Sequence, residues 1–133
     1  MRLDPPGLHS TPGYHHVTVV EAGRLAFLAG QCPLDHQGGL VGAGELLAQV
    51  DQVVANTLRA LDGVGARAED VVRTSIWVAS SDRADLAAVW SRLRGSQLAE
   101  AFTTASTLVG VSCLGYPGQL VELDVTAALP AGA

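Results

Sequence analysis

One acidic residue, Glu122, interrupts the apolar segment L-V-E-L-D near the end of the chain. A carboxylate between Val121 and Leu123 can move protons or activate water if it faces a cleft. Strand alternation equally allows a plain solvent-facing acid, and the residues alone leave both readings open. Tyr14-His15-His16 could supply an imidazole, the side chain whose ordinary titration range spans neutrality. Adjacent histidines point apart on an extended chain, so no metal site is expected from this pair. Ser106 could donate a hydrogen bond to a ligand oxygen, but no Ser-His-Asp spacing suggests nucleophilic catalysis. The two cysteines, Cys32 and Cys113, lie far apart with no CxxC, which reads as reduced thiols in a cytoplasmic protein. Cys113 follows the strand that bears Ser106 and could reach the same cleft, whereas Cys32 beside Pro33 reads as structural.

Composition removes several classes of function. The net charge is −5, and all eight cations are arginines scattered along the chain. No basic run offers a face to nucleic acid phosphates. Without lysine there is neither a Schiff-base amine nor a P-loop lysine. No apolar run approaches the ~20 residues of a membrane helix. A hydrophobic content of 48% against 16% charged residues favours an oligomer that hides part of its surface. The length of 133 residues is that of one domain, expected over 1–133.

The elements that must position these residues follow from periodicity. Residues 1–12 carry three prolines and read as a flexible N-terminal arm. Val17–Val20 and Arg24–Gly30, separated by Glu21-Ala22-Gly23, predict an antiparallel hairpin. Glycines then punctuate a loop with one short strand around Leu40-Val41. Apolar residues at three- and four-residue spacing predict an amphipathic helix over 45–64, ended by Gly63 and Gly65. V-V-R-T-S-I-W-V at 71–78 predicts a central strand. Ser80, Ser81 and Asp82 can cap a second helix whose apolar face includes Leu86, Val89, Trp90 and Leu93. Two closing strands, near 106–112 and 120–127, complete an α+β arrangement: a mixed β-sheet with two α-helices on one face. The other face needs a cover, and a neighbouring subunit is the expected one.

In order and spacing the chain resembles the RidA/YjgF family over about residues 12–128. The resemblance rests on G-R-L-A-F-L-A-G-Q at 23–31, Pro33 with Asp35, the long helix ending in G-V-G-A, and E-D-V-V-R-T-S-I-W-V at 69–78. A-S-T-L-V-G-V at 105–111 and P-G-Q-L-V-E-L-D at 117–124 complete it. It implies a chorismate-mutase-like fold assembled as a homotrimer, with small-molecule clefts between subunits and no cofactor. In imine-hydrolysing members an arginine on the penultimate strand clamps the substrate carboxylate, and a glutamate on the last strand positions or activates water. Glu122 matches that glutamate. Counting back from Val109-Gly110-Val111 places Ser106 at the arginine, so the clamp is missing. The remaining cleft positions map to His16 with Tyr14 beside it, Ala29, Trp90, Thr107, Leu108 and Cys113.

The resemblance therefore implies a deaminase-like enzyme acting on a reactive imine, enamine or carbonyl metabolite, with Glu122 as acid or base. It is not expected to be a standard 2-imino-acid deaminase. The alternatives are a non-catalytic metabolite-binding trimer and, against the acidic and lysine-free composition, an endoribonuclease.

Overall fold

The computed structural model describes residues 1–21 and 23–132. Its elements are β1 (Arg2–Leu3), β2 (Val17–Thr18), β3 (Leu25–Phe27), α1 (Leu46–Asp62), β4 (Val71–Val78), α2 (Arg83–Arg94), β5 (Ala105–Gly110) and β6 (Val121–Ala128). The main sheet has the order β3-β6-β4-β5. β4 and β5 run parallel, joined by the α2 crossover, while β6 is antiparallel to both β3 and β4. This is the α+β class expected, a mixed sheet with two helices on one face.

Both helices begin and end where the local chemistry dictates. Asp82 caps α2 by accepting from the Ala84 backbone N–H at 2.9 Å. α1 closes through Gly65 at a φ of +73°, which lets the Ala66 N–H reach back to the Leu61 carbonyl at 3.0 Å. Arg92 of α2 grips Asp51 of α1 through two contacts of 2.8 and 2.7 Å.

Alternation along the strands separates the two faces of the sheet. Val121, Leu123, Val125 and Ala127 of β6, with Thr74, Ile76 and Val78 of β4, are buried beneath the helices. Val50, Val53 and Leu61 of α1 and Val89 and Leu93 of α2 complete this core, together with Phe102. The opposite face carries Leu25, Phe27, Trp77 and Val109 beside Glu122 and Asp124. Phe27 is 75% exposed there, an apolar side chain that nothing among the described residues covers.

Three local expectations are corrected. The residues read as a loose arm include β1, which pairs with β2 through Arg2↔Thr18 and Leu3↔Val17. The expected hairpin between Val17–Val20 and Arg24–Gly30 does not form; β3 pairs with β6 instead. Ala22, in the middle of the expected turn, lies outside the described residues, as does Ala133. The short strand near Leu40 is reduced to a bridge between Leu34 and Leu40.

Candidate functional site

β6 presents Glu122 on the face away from the helices, because its neighbours Val121 and Leu123 take the buried face. A backbone exchange between Gln31 and Leu123 (2.6 and 3.1 Å) lays Gly30 and Cys32 alongside it. Asn56 of α1 ties this segment down by donating to the carbonyls of Cys32 and Leu34 at 3.0 and 2.9 Å.

The carboxylate of Glu122 is held by one oxygen. Oε1 accepts from the Cys32 thiol at 3.4 Å and from Gln119 Nε2 at 3.1 Å. Gln119 is 4% exposed and its orientation is fixed: its Oε1 accepts from the Tyr116 N–H and its Nε2 also donates to the Val121 carbonyl. Turning the amide over would oppose like groups at all three contacts. Oε2 lies over Gly30, so close that a β-carbon there would be 2.1 Å away. Burial, with the adjacent Glu122 charge adding to it, pushes the Cys32 thiol up to about 11, so near neutrality it is a protonated donor. Glu122 forms no ion pair among the described residues.

A second group of residues meets on the other side of the sheet. Pro12, Tyr14, Ala87, Trp90, Ser106, Thr107 and Leu108 line a pocket of about 320 Å³ between α2, β5 and the N-terminal segment. The Tyr14 and Trp90 rings stand edge to face at 82°, with centroids 6.2 Å apart, and Trp90 packs in the same way on the buried Phe102. Pro12 is drawn in by its carbonyl, which accepts from Trp90 Nε1 at 3.2 Å and Arg94 Nη1 at 2.5 Å.

Five of the residues singled out in the sequence (Tyr14, Trp90, Ser106, Thr107 and Leu108) thus share one pocket. Others lie elsewhere. Glu122 is on the opposite face, with β4 between β6 and β5, so one subunit does not bring it to Ser106. His16 stands behind Tyr14, its ring edge-on to that side chain and its Nε2 paired with the His9 carbonyl at 2.8 Å. Ala29 is exposed next to Gly30, on the Glu122 side. Cys113 is an exposed free thiol in the loop after β5 and lines neither group.

Ser106 does not offer a free hydroxyl. It accepts from Thr74 Oγ1 at 2.5 Å and donates to the Thr104 carbonyl at 3.0 Å, so its one proton is already used. Beside Glu122, sequence reasoning passed over Gln119 and read Cys32 as structural only. For Cys32 the neighbouring G-Q-x-P turn could have shown it; for Gln119 there was no sign. Among the described residues no His, Cys, Asp and Glu group is arranged to hold a metal, and no helix is long and apolar enough to cross a membrane.

Comparison with known proteins agrees with this architecture. A model of the family described as Endoribonuclease L-PSP matches residues 8–129. The chain is 35% identical to RutC family protein slr0709 from Synechocystis, over 84% of this chain and 83% of that protein. It is 33% identical to Protein DfrA from Myxococcus xanthus, over 86% of this chain and 83% of that one. The crystal structure of YyfB from Yersinia pestis, of the conserved Rid protein family, superposes with a TM-score of 0.88 at 34% identity, covering 97% of this chain and 98% of the other. With the fold, the position of Glu122 and these matches in agreement along nearly its whole length, the chain belongs to the RidA/YjgF family, also described as Endoribonuclease L-PSP.

Proposed function

We propose that this protein is a RidA-like enzyme for a reactive imine, enamine or carbonyl metabolite, working in clefts between the subunits of a homotrimer. The observation that carries the reading is the state of Glu122: among the described residues the carboxylate has no cation beside it, one oxygen is held by Cys32 and Gln119, and the other has no hydrogen-bond donor. An acid of this kind is preorganised for proton transfer rather than spent in an ion pair.

For an imine the step balances as water adding across C=N, with the nitrogen leaving as ammonia and a carbonyl remaining. Glu122 Oε2 takes a proton from the attacking water and gives it to the imine nitrogen, forming the carbinolamine, and then carries the carbinolamine hydroxyl proton to the same nitrogen, so that the C–N bond breaks to ammonia as the C=O forms. The pocket of Tyr14, Trp90 and Leu108 lies across the sheet from Glu122, so a cleft using both needs two subunits. The uncovered apolar face with Phe27 and Trp77 supports such an assembly. Ser106 in place of a cation argues for a substrate without the 2-imino-acid carboxylate, since each charge-assisted bond to such a group is worth roughly 1.5–3 kcal/mol. The acidic, lysine-free composition also gives a ribonuclease reading no basic surface to rest on.

The test is ammonia release from freshly generated 2-iminopropionate and from the neutral imine of acetophenone, with wild type and Glu122→Gln in verified oligomers. Turnover that is lost in Glu122→Gln supports the reading. Uncatalysed rates with wild type on both substrates would overturn it in favour of a non-catalytic metabolite-binding trimer.

A further inference from the structure

We infer that the Tyr14–Trp90 pocket binds the flat, apolar body of an uncharged substrate, an aryl ketone or its imine, and discriminates against the corresponding 2-oxo or 2-imino acid. This deepens the proposed function and rests on it for the reaction, though not for the binding preference. The walls are Pro12, Tyr14, Ala87, Trp90 and Leu108, with Ser106 and Thr107 also lining the space. At about 320 Å³ the space falls at the small end of ligand pockets, which run roughly 300–1,000 Å³.

Every polar side-chain group on this wall already has a partner. The Ser106 hydroxyl is committed to Thr74 and Thr104. Thr107 turns to the other face of the sheet, where its hydroxyl accepts from Arg73 Nη2 at 2.7 Å. The Trp90 indole N–H is given to the Pro12 carbonyl, and the Tyr14 hydroxyl is 3.3 Å from His9 Nε2. Arg94 is the cation drawn to the same segment, but its guanidinium is held on the Pro12 carbonyl and against the Gly13 backbone, and it does not line the pocket.

A carboxylate entering here would lose its water and meet no side-chain cation and no uncommitted side-chain donor among the described lining residues, a desolvation that apolar walls cannot offset. A planar ring suffers no such loss. The perpendicular Tyr14 and Trp90 rings offer it one face and one edge, the two arrangements aromatic groups prefer.

The matched probes are acetophenone and phenylglyoxylate, which share the aryl carbonyl and differ by methyl against carboxylate. Binding to the intact oligomer is followed on the Trp90 indole N–H resonance, assigned with Trp90→Phe. Acetophenone is expected to bind at least tenfold more tightly than phenylglyoxylate. Ala87→Phe, a change at an exposed helix position that fills the pocket, is expected to weaken acetophenone at least tenfold while leaving the fold and oligomer intact. Equal or tighter binding of phenylglyoxylate, or no response of the Trp90 resonance to either probe, overturns the inference. Measured on Glu122→Gln, the same preference separates the two readings: it survives there if only the catalytic reading fails, and it is absent from wild type if only this inference fails.

Discussion

The thiol of Cys32 donates to Glu122 Oε1 across 3.4 Å, joining a loop residue to a strand residue ninety positions away. Burial raises the thiol pKa and the carboxylate adds to that shift, while Cys32 and Gln119 together hold the carboxylate by one oxygen.

This pairing can be read directly from thiol chemistry. With Cys113→Ser leaving one thiol, alkylation of Cys32 by iodoacetamide is expected to keep rising with pH toward about 11, where half the thiol is ionised. In Glu122→Gln the midpoint moves down toward the ordinary thiol value near 9, because the carboxylate's hydrogen bond and charge are both removed while burial remains. The sign is set by charge: a neighbouring anion disfavours thiolate. An unchanged profile in Glu122→Gln would show that the two groups do not interact.

Gly30 is the third member of this arrangement. Gly30→Ala places a methyl group on Glu122 Oε2, which must swing away and release Cys32 and Gln119. Overpacking of this kind costs about 1–3 kcal/mol, measurable by denaturant unfolding. The Gly30→Ala/Glu122→Ala double variant regains most of that loss, since the clash is with one side chain. A loss equally large in the double variant would place the cause in the backbone.

Ser106 is expected to behave as a structural residue. Thr74 is fully buried, and its hydroxyl proton goes to Ser106. Ser106→Ala leaves that donor unpaired and costs about 1–3 kcal/mol. Thr74→Val in the same chain removes the donor, and the double variant recovers toward wild type. Additive losses across the cycle would mean the contact is not the source. For the same reason, Ser106→Arg is a poor way to restore a carboxylate clamp, since it sacrifices Thr74 before it can help a ligand.

Much of this was legible in the residues, and the parts that were not share one cause. The 3.6-residue spacing of Val50, Val53, Val54, Thr57 and Leu61 marked α1, and the run at 71–78 marked β4, because both signals are local. Glu122 could be placed away from the core by alternation alone. The hairpin misassignment arose because Val17–Val20 and Arg24–Gly30 satisfy hairpin spacing, whereas β3 finds a longer-range partner in β6. Strand order and register are likewise silent in periodicity: that β4 lies between β5 and β6, pairing Thr74 with Ser106 on one face and Trp77 with Glu122 on the other, depends on the parallel crossover through α2. Gln119 was missed because a buried amide in a turn looks like any polar loop residue until its three partners are seen.

The division of the sheet into a pocket side and a carboxylate side has a genetic counterpart. In the cleft proposed between subunits, a chain with Glu122→Gln still supplies a sound pocket, and a chain with Ala87→Phe still supplies a sound acid. Neither homo-oligomer would work alone. Co-assembled, the two defective chains would complement each other, because some clefts would draw each half from the parent that kept it.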